Sequence, residues 1–194
     1  MKNLLSTFFI ACFITLFINV NAEDNEDNID THWMEFIDGE KTLNQINIPG
    51  TQDSGTFDIA RITTNRFVDY FISLGYALYG TILSDFAETQ NLDIREQLDH
   101  GIRYLDLRMT SDNYDAKNIY ISHGSIAVAN RNKGSYDYLL VTDVLEECVN
   151  FLIRHPSETI ILHFKKKNFI EGIEDNVIGS ILADYTIRNE TKVL

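Results

Sequence analysis

The sequence predicts an α/β chain whose strands alternate with helices and pair in parallel. Ile102-Arg103-Tyr104-Leu105-Asp106-Leu107-Arg108 alternates with the period of a strand. Val144, Leu145, Cys148, Val149, Leu152 and Ile153 then form a helical apolar stripe. A continuous apolar run at 159–164 reads as a buried strand. The polar clusters fall just after strands, on the face where parallel α/β folds hold their ligands.

Taken in order, residues 1–22 are expected to be a secretory signal, with Lys2 as the positive start and an apolar core at 4–20. Val20-Asn21-Ala22 supplies the small-x-small cleavage pattern. A membrane anchor is the alternative, since about 17–25 residues suffice to span a bilayer. Ser6, Thr7, Thr15 and Asn19 interrupt the stretch and Glu23-Asp24 follow it, which favours cleavage and a secreted, extracellular chain. Removing 22 of 194 residues leaves 172, and losing Lys2 takes the net charge from −13 to −14. So acidic a chain excludes nucleic acid as a partner and docking on anionic lipid by bulk charge. Residues 23–31 read as an acidic flexible leader, and 32–194 as one domain with a real core.

Within that domain, 33–37 is a short helix candidate with its aromatics inward, and 43–49 is the first expected strand. Pro49-Gly50 then turns the chain into Thr51-Gln52-Asp53-Ser54-Gly55, where glycines permit positive φ and close backbone approach. Phe67, Tyr70, Phe71, Leu74 and Leu78 recur at helical spacing across 66–79, as a core helix or a lipid-facing rim. Residues 92–100 form a helix stopped by Gly101. Tyr104, Asp106 and Arg108 share one face of the next strand. Residues 118–122 make another, ending in His123-Gly124. Thr142 caps the apolar-striped helix, which stops at His155-Pro156. The strand at 159–164 runs into Lys165-Lys166-Lys167, and a last helix covers 171–185. Cys148 is the one cysteine outside the signal, a core residue with no disulfide to form. Asn189-Glu190-Thr191 is a glycosylation sequon if the host is eukaryotic. A closed (β/α)8 barrel needs about 250 residues. The chain is therefore expected to hold the first half to two-thirds of such a barrel and to be incomplete at its C-terminus.

Four segments in register resemble the X domain of phosphatidylinositol-specific phospholipase C, in its bacterial, metal-independent form. They are the run from Leu43 through Ile48-Pro49-Gly50-Thr51-Gln52-Asp53-Ser54-Gly55-Thr56, the run Gly101 to Arg108, Ile121-Ser122-His123-Gly124, and His155-Pro156-Ser157-Glu158 through Phe164-Lys165-Lys166. The resemblance spans roughly 33–167. It implies a TIM-like barrel of the phosphatidylinositol phosphodiesterase type, and a reaction in which the inositol 2-hydroxyl attacks the adjacent phosphodiester. Diacylglycerol leaves and a cyclic inositol phosphate remains. The implied partners are phosphatidylinositol or a glycosylated inositol-lipid headgroup at a transiently contacted membrane surface, with the protein a monomer. No cofactor and no metal are implied.

By the same resemblance His123 is the general acid, and Arg108 holds the nonbridging phosphate oxygens where metal-dependent relatives place calcium. Asp106 orients Arg108, Lys165 faces the inositol, and Asp53 steadies the general base. Taken singly, Asp106 and Arg108 would read as a structural ion pair, His123 as a loop histidine and Lys165 as a solvated strand end. His100, His155 and His163 match no role and read as structural.

At the base position the chain carries Gln52, where the family pattern has histidine. Glutamine can hold a hydroxyl by hydrogen bonds but takes up no proton near neutral pH. Losing a general base typically costs about 10²–10⁴ in rate. Two outcomes are therefore expected: a secreted phosphodiesterase of reduced rate, or a non-catalytic descendant that binds inositol phosphate or a headgroup, down to a fragment without function. A glycerophosphodiester phosphodiesterase barrel would want a His-Arg pair and acidic metal ligands that the sequence does not show.

Overall fold

A computed structural model describes residues 11–14, 29–63, 87–111, 119–124, 126–131, 134–166 and 179. The helices expected at 66–79 and 171–185 fall outside these residues, apart from Gly179, as does most of 1–28. Among the described residues the strands are β1 Ala11–Ile14, β2 Gly50–Thr51, β3 Ile59–Thr63, β4 Tyr104–Ser111, β5 Ile119–His123, β6 Ile126–Asn130, β7 Gly134–Tyr138 and β8 Ile160–Lys166. The helices are α1 Ile94–Asp99 and α2 Val141–Arg154.

β4 is central because its alternation divides two environments. Leu105, Leu107 and Met109 are buried against the core, while Tyr104, Asp106 and Arg108 on the opposite face stay partly exposed. β8 lies parallel to it, with Asp106 opposite His163 and Arg108 opposite Lys165. The same parity holds there: Ile160, Leu162 and Phe164 are buried, and Ile161, His163 and Lys165 are not. α2 covers the core face with Val144, Leu145, Cys148, Phe151 and Leu152, and α1 adds Ile94 and Leu98. Cys148 is fully buried, and burial pushes its thiol up to about 12, so it is an inert core residue.

The sheet is mixed, whereas the sequence pattern points to parallel pairing throughout. β2 and β8 are parallel to β4, but β4–β5, β5–β6, β6–β7 and β3–β6 are antiparallel. The reason is local. His123 pairs with Ile126, which leaves a two-residue connection, and Gly124 takes the positive φ of +62° that such a hairpin requires. Helical crossovers need a dozen or more residues, whereas seven residues join β4 to β5, two join β5 to β6 and three join β6 to β7.

Four local expectations change. The strand expected at 43–49 is a single 3-10 turn at Leu43–Gln45, followed by extended chain and the short β2. Thr42, Asn44 and Gln45 hydrogen-bond one another locally, which offers the backbone an alternative to a strand ladder. Trp33–Phe36 is helical as 3-10, but Phe36 is exposed rather than inward. α2 starts at Val141, so Thr142 is inside the first turn. The cap is made by Asp143, whose Oδ2 accepts from Leu140 N at 3.0 Å and from Asn130 Nδ2 at 2.8 Å. Residues 29–31, expected in the flexible leader, form a docked 3-10 turn.

A buried arginine docks that turn. Arg103, on the core-side parity of the chain leading into β4, has no solvent exposure, and all five of its N–H donors are used. Nε donates to Glu158 Oε2 at 2.7 Å, Nη1 to the carbonyls of Leu98 and Ile102, and Nη2 to those of Asp30 and Thr31. The guanidinium carbon lies 4.4 Å from the Phe151 ring centroid. Glu158 Oε1 in turn accepts from Met34 N at 3.0 Å. One buried ion pair therefore ties the N-terminal segment, the end of α1 and the approach to β8 together. Removing one partner of such a pair leaves an uncompensated buried charge. Glu158→Ala is expected to cost about 3–5 kcal/mol in denaturant unfolding, and a loss below about 1 kcal/mol would place the pair's weight elsewhere.

Candidate active site

The site begins with the loop after β2. Gly50 is needed for close approach: a Cβ there would meet Tyr104 Cβ at 2.9 Å and the Tyr104 carbonyl at 3.1 Å. At Gly55 a Cβ would collide with Cγ2 of the buried Ile121. Neither glycine has positive φ. The left-handed residue of the loop is Asp53, at φ +52°.

That conformation is held by its surroundings. The Asp53 carbonyl accepts from Thr56 N at 2.9 Å, from Thr56 Oγ1 at 2.6 Å and from Thr89 Oγ1 at 3.3 Å. Ser54 N donates to the Asp106 carbonyl at 2.8 Å, while Asp106 N donates to Ser54 Oγ at 2.9 Å, clamping the loop to β4. Gln97, buried at the end of α1, donates through Nε2 to the carbonyls of Ser54 and Leu92. Thr51 and Gln97 are also within hydrogen-bond distance through their side chains. Backbone strain of this sort is tolerated where the surroundings over-determine it.

The loop delivers Asp53, 3% exposed, against Arg108: Oδ1 contacts Nε directly. Asp106 Oδ2 lies 3.8 Å from the same Nε. His123 Nδ1, at the end of β5, is 3.7 Å from Asp53 Oδ2, close enough for charge interaction but not for a hydrogen bond. Lys165 stands opposite Arg108 in the β4–β8 register, on the same face. Asp53, Asp106, Arg108, His123 and Lys165 are thus brought together from four elements. Gln52 adjoins them in the loop but is exposed, its carbonyl accepting from Gln90 Nε2 at 2.8 Å.

Burial dominates the protonation of Asp53. Desolvation raises its pKa above the ordinary 3.8. The Arg108 guanidinium opposes this most strongly, then His123, while Asp106 adds to the rise and Lys165 opposes it. Tyr104 is likewise pushed up, first by burial and then by the Asp106 carboxylate, so its hydroxyl stays neutral. Among the described residues no group of three or more His, Cys, Asp or Glu could hold a metal ion. The arrangement offers a guanidinium for an anion, an imidazole for proton transfer, and carboxylates that position both.

His163, which reads as structural in the sequence, lies beside this cluster. Its Nδ1 lies 3.4 Å from Asp106 Oδ1, and its ring centroid is 6.1 Å from that of Tyr104. The signal that could have found it is its spacing of two from Lys165, which puts both on one strand face. His100 and His155 do lie away from this cluster. His100 Nδ1 is 2.7 Å from the Glu96 carbonyl, and His155 packs on Phe151.

The α/β scaffold thus gathers a guanidinium, carboxylates and an imidazole from β4, the end of β5, β8 and the loop after β2. Residues 63–189 fit Phosphatidylinositol-specific phospholipase C, X domain, and the chain belongs to that family. A 1-phosphatidylinositol phosphodiesterase of Staphylococcus aureus (strain NCTC 8325 / PS 47) is 24% identical over 193 residues, covering 97% of this chain and 50% of that protein. Its counterpart in Listeria monocytogenes is 31% identical over 133 residues, covering 69% of this chain and 32% of that one. The solved phosphatidylinositol-specific phospholipase C from Listeria monocytogenes superposes with TM-score 0.55 at 27% identity, over 81% of this chain and 46% of that one. An S. aureus phosphatidylinositol-specific phospholipase C structure gives 0.55 at 25% identity, over 82% and 43%. The fold is therefore that of a phospholipase C barrel, present in part, and the chain spans about half the length of the S. aureus relative.

A carboxyl whose folded pKa is raised keeps its proton longer in the folded chain. Its contribution to stability is present in full below the unfolded value near 3.8 and is lost as pH rises through the folded value. Followed by carbon NMR, Asp53 is expected to titrate above 3.8, and Arg108→Met is expected to move it higher still. Titration at or below 3.8 would show that the guanidinium, not burial, governs this carboxyl.

Proposed function

We propose that this site takes the phosphodiester of an inositol phospholipid and cleaves it to diacylglycerol and a cyclic inositol phosphate, at a rate limited by Gln52. The observation that carries the reading is the Arg108 guanidinium, held by the buried Asp53 and Asp106 with His123 beside Asp53 and Lys165 across the strand pair. Asp53 engages Nε, and the guanidinium's terminal amino groups carry the remaining four donors, a fork that matches two phosphate oxygens. Arg108 stabilises charge on the phosphorane, His123 protonates the departing oxygen, and Lys165 contacts the inositol ring. The names of the relatives support the same substrate.

A second reading rests on Gln52: the site binds inositol phosphate or a headgroup without turnover. Export as a monomer, after cleavage behind Ala22, goes with either reading. The sequence of 1–22 supports export, and its removal would leave the outer edge of β8 without β1, which pairs there through Ala11–Ile14.

Vesicles containing phosphatidylinositol are expected to release cyclic inositol phosphate in the presence of chelator. Arg108→Lys is expected to lower kcat by about 10²-fold, since a point charge replaces a planar fork. Turnover that chelator abolishes, or that survives Arg108→Lys unchanged, would refute the cleavage mechanism. Saturable headgroup binding without product would favour the binding reading. The chain recovered from the medium is expected to begin at Glu23, and an N-terminus at Met1 would refute export by this signal.

A further inference from the structure

We infer that Gln97, on the buried side of α1, sets the orientation in which Arg108 meets its phosphate, acting through Asp53. The inference rests on the cleavage reading above and deepens it by naming the residue that positions the grip. Gln97 is 1% exposed, so it works from behind the site and not on a ligand. Its carboxamide brackets Gln52 and Asp53. On one side Oε1 lies 2.7 Å from Thr51 Oγ1, and on the other Nε2 donates to the Ser54 carbonyl at 2.7 Å. The second N–H goes to the Leu92 carbonyl at 2.8 Å.

The row of contacts continues across the loop to the central strand. Thr51 Oγ1 is 2.7 Å from Ser54 Oγ, which accepts from Asp106 N–H at 2.9 Å. Inside this row sits Asp53 at φ +52°, with Oδ1 against Arg108 Nε. Asp106 stands further from the same nitrogen, at 3.8 Å, so the guanidinium takes its direction chiefly from the loop. Gln97 is thereby a positioning residue.

The helix from which Gln97 acts is fixed at both ends. At its start Asp93 and Glu96 form a capping box, each side chain accepting the other's backbone N–H at 2.8 Å. At its end the Leu98 carbonyl accepts from the buried Arg103 Nη1 at 2.7 Å. Position 97 therefore needs one acceptor and two donors on an uncharged side chain long enough to reach the loop. Glutamine supplies them and leaves neither N–H unpaired. Leucine fills a similar volume and removes every one of these bonds, which frees Asp53 to turn away from Nε.

The test compares the full chain with Gln97→Leu, Thr51→Val, Asp53→Asn and the double variant Gln97→Leu/Asp53→Asn. The NMR resonance of Arg108 Nε–H is followed, together with kcat/KM on phosphatidylinositol vesicles. Asparagine tolerates the left-handed region, so Asp53→Asn removes the charge and keeps the path of the loop. Gln97→Leu is expected to shift Arg108 Nε–H, with Arg154 Nε–H on α2 unmoved, and to lower kcat/KM by about 10–10²-fold. Thr51→Val cuts the same row at its next member and is expected to shift Arg108 Nε–H in the same direction. With Asp53→Asn in place, the shift caused by Gln97→Leu is expected to be about fivefold smaller, because the route through Asp53 is gone.

A purely structural role for Gln97 predicts less folded protein and equal shifts in both backgrounds. An unmoved Arg108 Nε–H in folded Gln97→Leu, or equal shifts with and without the Asp53 carboxylate, overturns the inference while the cleavage reading stands. If the parent chain releases no cyclic inositol phosphate, the cleavage reading fails, and the Arg108 resonance alone decides the inference. Should Gln97→Leu not fold, Thr51→Val against Thr51→Val/Asp53→Asn decides it by the same criteria.

Discussion

The contact between Asp53 and Arg108 is the interaction on which the rest of the site depends. It joins a strained loop to the central strand. Asp53 occupies the left-handed region because three donors converge on its carbonyl, and Ser54 locks the loop to the Asp106 backbone. The glycines on either side serve that clamp by bringing the loop within van der Waals reach of Tyr104 and Ile121. A buried carboxylate then meets a guanidinium that is itself only 16% exposed, and the attraction is strong because little water screens it.

A second buried pair, Arg103 with Glu158, works at the other end of the same strand. It lies on the opposite parity from Arg108, facing the core side, and carries no solvent exposure. The two arginines, five residues apart, thus serve opposite faces of the chain, Arg103 the core and Arg108 the carboxylates of Asp53 and Asp106. Arg103 forms the full set of five hydrogen bonds, four of them to backbone carbonyls, which suits a group that must never be displaced. In the proposed function the terminal amino groups of Arg108 are the donors offered to the phosphate.

Strand parity makes much of this legible in the sequence. The alternation of 102–108 places Tyr104, Asp106 and Arg108 together, and the apolar stripe of α2 identifies Cys148 as core. Gly101 as the stop of α1 has a direct cause in its φ of +87°. The antiparallel strands β3, β6 and β7 escape a sequence reading, because a five-residue strand is too short to show a periodicity of its own, and β5 is legible only through its apolar run into His123-Gly124. The 3-10 turn at Leu43–Gln45 passes for strand because its local polar bonds are invisible to an apolar count. Arg103 is hidden for a related reason, since a charge that is buried and fully bonded breaks the rule that arginines face water. His163 goes unrecognised because its partner Asp106 is 57 positions away and meets it only through the β4–β8 register.

The proposed cleavage requires a phosphate held at Arg108 with the His123 imidazole beside it. The most direct measurement is a titration of the isotope-labelled chain with inositol 1-phosphate, following the Arg108 Nε–H and the His123 ring by NMR. Saturable shifts at both, with the buried Arg103 Nε–H unmoved, are the predicted result. Shifts confined to other basic groups such as Arg131, or movement of His123 without Arg108, would contradict it.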